Sequence, residues 1–182
     1  VPNTPRTATI KAITPLTVIS FSLEDLNKFS AEFPAMRRAL ESSAKRILLQ
    51  NFIQRLSPFS TLPLDRVNNL ITHIKPIAVA ANTPIIKQGE RGHYCYLLKS
   101  GSVDVSLKVG DADRVVATLY PGALFGEASL LTSALRNSSV ISREPCELLA
   151  IDQKALLDAI AADRQIAARM MELLQLRDRP YR

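Results

Sequence analysis

The spacing of apolar positions differs between the ends and the middle of the chain. From Pro34 to Leu56, apolar residues recur every three or four positions, which predicts one long amphipathic helix. Similar spacing predicts helices from Leu62 to Ile74, from a cap at Asp152 to Ile160, and from Gln165 to Leu176. A capping-box pattern starting at Ser22 predicts another, shorter helix. Both flanks are therefore expected to be helical.

The middle of the chain has the pattern of short strands. Val103, Val105 and Leu107 alternate with polar residues, which predicts a strand with one buried face. All six glycines lie between residues 89 and 126, where they separate short β-rich runs. Strands are predicted at Tyr94–Lys99, Ser102–Lys108, Arg114–Leu119, Asn137–Ser142 and Glu147–Ile151. The predicted fold class is α+β, an antiparallel β-barrel or jelly roll of about eight strands with N- and C-terminal helices.

The chain also contains an incomplete internal repeat. A shift of 130 residues places Arg6 over Arg136 and Pro15 over Pro145 without a gap. Apolar positions coincide as well: Ile10, Val18, Ile19, Phe21 and Leu26 fall on Val140, Leu148, Leu149, Ile151 and Leu156. The alternative is a chance likeness between two strand–strand–helix segments. The repeat predicts that residues 1–33 are the closing strands and helix of a preceding module, 34–57 a connecting helix, and 58–182 a complete domain.

The amino-acid composition argues against several classes of protein. The formal net charge is +6 and 47% of the 182 residues are hydrophobic, which fits a globular chain and not a disordered polyelectrolyte. No run of about 18 apolar residues and no secretory leader is present, so we expect a cytoplasmic protein without a membrane span. Cys95 and Cys146 form no CxxC pair, and only two histidines could assist them, so neither a metal site nor a disulfide framework is expected.

The stretch from Pro121 to Val140 carries the candidate chemistry. Gly126 allows the backbone to approach a ligand, and a short helix starting near Glu127 would direct N–H groups towards an anion. Arg136 could bind phosphate oxygens with two parallel hydrogen bonds. A carboxylate beside a phosphate needs a neutral donor, and a ribose hydroxyl is the natural one. Together these features predict a nucleotide site.

This stretch resembles the phosphate-binding cassette of cyclic-nucleotide-binding domains. That cassette has Phe-Gly-Glu, here Phe125 to Glu127, followed nine positions after the glutamate by an arginine, here Arg136. Further family marks occur upstream in the expected order: Leu56-Ser57-Pro58-Phe59, Leu62-Pro63, Gln88-Gly89-Glu90, Tyr96-Leu97-Leu98 and Gly101-Ser102-Val103. The resemblance covers about residues 50–176.

The resemblance implies a role for each cassette residue. Glu127 would accept the ribose 2′-hydroxyl and Arg136 would pair with the cyclic phosphate. The candidate ligand-binding residues are Gly126, Glu127, Ala128, Ser129, Arg136, Asn137, Ser138 and Ser139. Family members that select guanine commonly carry a hydroxyl directly after the arginine, and Asn137 is an amide, which favours cyclic AMP over cyclic GMP. Arg6 is expected to be idle, because its copy lacks a Gly-Glu half.

The function implied is a regulatory, allosteric signalling domain without catalytic or metal chemistry. Binding of cyclic AMP or cyclic GMP would be transmitted through the C-terminal helices to an effector outside this chain, without direct contact to nucleic acid. A homodimer or a domain swap is left open. Two alternatives remain: an interaction module whose pocket has lost its ligand, and the sensor half of a transcription factor of the catabolite-activator type.

Overall fold

The computed structural model describes residues 9–110 and 112–177. The chain divides into two compact units, Val1–Ser43 and Ala44–Arg182. The helices are α1 (Leu23–Glu32), α2 (Pro34–Leu56), α3 (Leu64–His73), α4 (Glu127–Thr132), α5 (Gln153–Ala162) and α6 (Arg164–Arg177). The strands are β1 (Lys75–Val79), β2 (Pro84–Ile86), β3 (Tyr94–Ser100), β4 (Val103–Val109), β5 (Ala112–Leu119), β6 (Leu124–Phe125), β7 (Ser139–Ser142) and β8 (Cys146–Asp152).

In the first unit, helix α1 begins as its sequence predicts. Ser22 accepts a hydrogen bond from the amide of Asp25, and the Asp25 carboxylate accepts one from the amide of Ser22, which completes the capping box. The two strands that the repeat predicts before α1 are not formed among residues 9–22. A strand needs a neighbouring strand for its backbone hydrogen bonds, and the described part of this unit offers none.

The second unit is a jelly roll of two antiparallel four-stranded sheets. One sheet has the order β1-β8-β3-β6 and the other has the order β2-β7-β4-β5. The predicted jelly-roll fold is therefore confirmed, and five of its eight strands match predicted ones closely. The three that the sequence pattern missed are β1, β2 and β6, which are short, and two of them begin at or next to a proline.

The sheet that contains β3 and β8 is covered on both faces. Leu98 and Leu148 point to the core between the two sheets, together with Val103 and Phe125. Leu97 and its neighbours on the opposite face pack against the helices, in a core with Ile53, Val67, Leu70, Leu149, Ile151, Leu156, Ile166 and Met170. This double burial explains why β8 is almost entirely apolar.

Helix α2 has the predicted bounds, but its predicted burial is only partly correct. Ile53 is fully buried, whereas Met36, Leu40, Ile47 and Leu48 are each about half exposed. Apolar side chains thus lie on two sides of this helix, of which only one contributes to the core of the second unit. Periodicity alone could not distinguish the two sides, because it reports the spacing of apolar residues and not what covers them.

Candidate functional site

The short helix α4 starts at a glycine with a backbone that other residues avoid. Gly126 follows strand β6 and has φ 78°, in the left-handed region. A Cβ at this position would lie 2.7 Å from Nη1 of Arg136 and 2.8 Å from Cδ1 of Ile86. Glycine is therefore needed both for the turn and for the close approach of Arg136. The turn places Glu127, the first residue of α4, in a fully buried position.

The guanidinium of Arg136 is anchored by three hydrogen bonds to uncharged oxygens. Nη1 donates to the carbonyl of Gly126 at 2.5 Å and to the hydroxyl of Ser129 at 2.8 Å. Nη2 donates to the carbonyl of Tyr94 at 2.6 Å. Arg136 is only 7% exposed, so its positive charge lies inside the domain. The buried carboxylate of Glu127 belongs to the same short segment as Gly126 and Ser129, two of the hydrogen-bond partners of Arg136.

The loop between β2 and β3 fixes the backbone of Arg136. The amide of Gly89 donates to the Arg136 carbonyl at 2.8 Å, and the amide of Arg136 donates to the Glu90 carbonyl at 2.9 Å. Gly92 in the same loop lies directly against the guanidinium, since a Cβ there would meet Nη2, Cζ and Nε at 2.0 to 2.2 Å. This loop therefore forms one wall of the candidate site.

Burial governs the electrostatics around the guanidinium. Desolvation lowers the pKa of Arg136 from its ordinary value, while the nearby carboxylate of Glu127 acts in the opposite direction. An arginine still remains protonated at neutral pH. Burial also raises the pKa of Tyr96, and the nearby Arg136 opposes that rise. The site thus holds a partly desolvated guanidinium together with a buried carboxylate that acts on it, and charges interact more strongly there than at the open surface.

The structure brings together part of the predicted set of ligand-binding residues. Gly126, Glu127, Ser129 and Arg136 meet at the junction of β6 and α4, and Ala128 is half-buried in the same helix. The residues after the arginine are arranged differently, as two hydrogen bonds indicate. Asn137 is exposed and its Oδ1 accepts a bond from Ser138, whereas the Ser139 hydroxyl accepts a bond from the amide of Gln88.

Three contributions to the site were missed at the sequence level. These are the wall formed by Gly92, the acceptor carbonyl of Tyr94, and the bond of Ser129 to Arg136 instead of a free ligand contact. The Gln88-Gly89-Glu90 motif was a signal for this loop, but the pattern alone did not connect it to Arg136. Arg6, the counterpart of Arg136 in the repeat, lies outside the described residues.

Within residues 9–110 and 112–177, no three His, Cys, Asp or Glu side chains cluster as metal ligands would. In those same ranges, none of the helices combines the length and apolar character that crossing a bilayer requires.

Comparison with known proteins agrees with the fold and with the cassette. The family model described as cyclic nucleotide-binding domain matches residues 76–163. The chain is 28% identical over 156 residues to the cGMP-dependent protein kinase egl-4 of Caenorhabditis elegans, covering 84% of this chain and 19% of the relative. It is 32% identical over 108 residues to the cAMP-dependent protein kinase regulatory subunit of Mycosarcoma maydis, covering 52% of this chain and 20% of the relative. The chain thus spans about a fifth of the length of these relatives.

Solved structures give the same picture. The regulatory domain of Toxoplasma gondii PKA, crystallised with cAMP, superposes with a TM-score of 0.62 at 29% identity, covering 70% of this chain and 49% of that chain. The catabolite activator protein of Thermus thermophilus superposes with a TM-score of 0.59 at 32% identity, covering 66% of this chain and 58% of that chain.

Proposed function

The chain belongs to the cyclic nucleotide-binding domain family through residues 76–163, and on this premise we propose that Arg136 and Glu127 bind cyclic AMP in preference to cyclic GMP. Binding is then passed to an effector through α5 and α6. The domain is regulatory, and its kinase-type relatives carry such domains in much longer chains.

One observation carries the proposal, namely that a buried arginine and a buried glutamate both lie at the Gly126 turn. Arg136 is 7% exposed and Glu127 is fully buried. Burying two ionised groups is costly unless they have a use in binding or strong partners. At this turn, a cyclic phosphate would lie beside the guanidinium and a ribose hydroxyl beside the carboxylate, so one ligand would contact both charged groups.

The preference for cyclic AMP is supported by the residue after the arginine. Asn137 is exposed and its carboxamide oxygen accepts a bond from Ser138, so no hydroxyl is presented at the place where guanine-selective family members carry one. The relatives include both cGMP-dependent and cAMP-dependent proteins, so identity by itself does not select the base.

Transmission to the C-terminal helices is supported by contacts between the cassette and the helical core. Leu130 of α4 is buried in the same cluster as Leu156 of α5 and as Ile166 and Met170 of α6. A displacement of α4 on binding would therefore repack both helices. The free energy that couples binding to the effector would come from contacts that differ between the two arrangements.

Titration of the chain with cyclic AMP and cyclic GMP tests the proposal. We expect calorimetric binding of both nucleotides with tighter binding of cyclic AMP, and a rise in Tm that corresponds to about 2.7 kcal/mol at a hundredfold excess over Kd. Adenosine 5′-monophosphate is the control for the cyclic phosphate. Absence of a Tm shift with either cyclic nucleotide at millimolar concentration would contradict the proposal and favour an interaction module without a ligand.

We also propose that residues 1–33 are the closing part of a preceding module of the same fold. Ile10, Val18, Ile19 and Phe21 are between 68% and 94% exposed, whereas their partners in the repeat, Val140, Leu148, Leu149 and Ile151, are at most 2% exposed. Each of these side chains would gain about 1.5–3 kcal/mol on burial. The rest of the preceding module would therefore have to cover apolar side chains on both sides of this segment.

The register of the complete domain indicates what such a partner must contain. Leu148 and Leu149 belong to β8, which is hydrogen-bonded to β1 on one side and to β3 on the other. Val140 belongs to β7, which pairs with β2 and β4. By analogy, residues 9–22 would be two inner strands that need four neighbours. In a second copy of this chain, β7 and β8 occupy the corresponding places, so a domain swap would have to displace them.

Hydrogen exchange tests this domain assignment. In the full-length natural polypeptide, we expect the amides of residues 17–22 to exchange at least about a hundredfold more slowly than in the 182-residue chain, because they join a sheet. The amides of β8 in the second unit serve as the internal reference. Equal exchange of residues 17–22 in the two polypeptides would contradict the assignment.

A further inference from the structure

We propose that Ser129 and Gly92 are positioning residues, which hold the Arg136 guanidinium in the orientation that binds an anion. The inference rests on the proposed function for the identity of the anion. It concerns a different property, namely how the arginine is oriented before any ligand arrives.

Ser129 and the turn at Gly126 form a closed set of hydrogen bonds with the guanidinium. Nη1 of Arg136 donates to the Gly126 carbonyl at 2.5 Å and to the Ser129 hydroxyl at 2.8 Å. The same hydroxyl donates to the Gly126 carbonyl at 3.3 Å. Ser129 is 8% exposed, so water cannot easily replace its oxygen as the acceptor. An alanine at this position would leave one buried N–H of a charged group without its acceptor.

These contacts determine which edge of the guanidinium faces a ligand. Together with the bond from Nη2 to the Tyr94 carbonyl, they use both Nη1 protons and one Nη2 proton. The other edge carries the Nε proton and the second Nη2 proton. Two parallel donors of this kind match two oxygens of a phosphate. By fixing Nη1, Ser129 thus assigns the Nε–Nη2 edge to the anion.

Gly92 limits the position of the guanidinium through its close approach to Nη2, Cζ and Nε. The Cβ of any other residue would lie 2.0 to 2.2 Å from Nη2, Cζ and Nε, closer than atoms can approach. The colliding group is the end of a flexible side chain, so the domain would still fold and the guanidinium would move instead. Glycine at position 92 is therefore required by Arg136.

The first experiment needs no nucleotide. Phenylglyoxal modifies arginine, and after labelling of the folded 182-residue chain, peptide mapping by mass spectrometry gives the rate at Arg136. We expect Ser129→Ala and Gly92→Ala to raise this rate at least about fivefold, because Arg136 loses its fixed position.

Two control variants should leave the rate unchanged. Thr132→Ala removes an exposed hydroxyl from the same helix, and Gly110→Ala adds a methyl in open space. Ser129→Thr retains the hydroxyl and should restore the slow rate. Unchanged rates in both Ser129→Ala and Gly92→Ala would overturn the inference.

The second experiment measures affinity for cyclic AMP in the same variants. We expect a loss of about tenfold in Ser129→Ala, the scale of one hydrogen bond to a charged group. Adding Ser129→Ala to Arg136→Ala should change the affinity less than twofold further, because Ser129 acts through the arginine. Additive losses would overturn the positioning role. If the wild-type chain binds no cyclic nucleotide while the modification rates change as expected, the proposed function fails and the positioning role stands.

Discussion

The side-chain amide of Gln153 donates a 2.8 Å hydrogen bond to the main-chain carbonyl of Leu130. It joins the first turn of α5 to α4, so that the cassette and the C-terminal helices share a polar contact in addition to their common apolar core. Any movement of α4 must either carry α5 along or break this bond.

Loss of this contact should weaken the coupling without affecting the pocket itself. We expect Gln153→Ala to bind cyclic AMP within about threefold of the wild type, whereas ligand-induced changes in hydrogen exchange of α5 become smaller. The bond is a single neutral one, worth about 0.5–1.5 kcal/mol. Lys154→Ala, which loses an exposed ion pair with Asp158 in the same turn, is the matched control. An unaltered exchange response in Gln153→Ala would assign the coupling to apolar packing alone.

Replacement of the arginine should have the largest effect on binding. We expect Arg136→Ala to cost about 2–5 kcal/mol of binding free energy, because the phosphate charge would be left without its partner. Arg136→Lys should be intermediate, since it retains the charge but not the two parallel donors. Isothermal titration calorimetry measures both effects, and circular dichroism checks the fold. Wild-type affinity in Arg136→Ala would remove this residue from the site.

The role of Glu127 can be isolated with a modified ligand. We expect Glu127→Gln to weaken cyclic AMP binding by about 1 kcal/mol, because the ribose 2′-hydroxyl would then donate to a neutral amide oxygen in place of a carboxylate. The variant should bind 2′-deoxy cyclic AMP as well as the wild type does. Glu172→Gln on the exposed side of α6 is the control for the change in charge. A uniform loss for both ligands would show that Glu127 does not contact that hydroxyl.

The buried thiols provide a prediction about pH. Desolvation raises the pKa of Cys95, and burial likewise raises that of Cys146. Above the ordinary pKa of a thiol, the unfolded chain loses these protons and the folded chain keeps them. The free energy of unfolding should therefore fall as the pH rises, by up to about 1.4 kcal/mol per pH unit for each thiol.

Two measurements check this prediction. Cys95→Ala should show a shallower fall in the free energy of unfolding between pH 8 and pH 10 than the wild type does. Ellman's reagent should label neither thiol in the folded chain and both in guanidinium chloride, because the side chains of both residues are at most 3% exposed. Rapid labelling of Cys95 in the folded chain would contradict its burial.

Gly122 should be important for stability and not for binding. It has φ 96°, and a Cβ there would lie 2.1 Å from the carbonyl oxygen of Leu56 at the end of α2. We expect Gly122→Ala to destabilise the domain by more than the roughly 1–3 kcal/mol of backbone strain alone, since rigid backbone would also have to move. Gly110→Ala is the control: Gly110 has φ 64° with open space around it, so an alanine there causes backbone strain but no collision. Equal losses in urea denaturation would show that the contact with α2 is unimportant.

The sequence predicts the helices and the long strands because those elements are encoded locally. The bounds of α2 and the capping box of Ser22 follow from spacing and from short-range hydrogen bonds, and both are confirmed. Strands β1, β2 and β6 were missed because β2 and β6 have only three and two residues, and because β1 and β2 contain a proline, which counts against a strand.

In the candidate site as well, the residues close together in sequence could be predicted, whereas the contacts with distant residues could not. Glu127 and Arg136 were identified from their spacing on one continuous segment, which local sequence contains. The wall at Gly92 depends on a loop that returns to Arg136 from 44 positions earlier in the chain. A single sequence does not report which distant loop meets which side chain, so the environment of the guanidinium required the three-dimensional structure.

Asp152 is at once the last residue of β8 and the cap of α5, where its side chain accepts a bond from the amide of Ala155. It is also paired across the sheet with Tyr94, whose carbonyl holds Arg136. The strand becomes the helix without an intervening linker, so no flexible spacer absorbs a change of twist at this end of the sheet. The direction of α5 is therefore set by a strand that is paired with the one whose Tyr94 carbonyl holds the guanidinium.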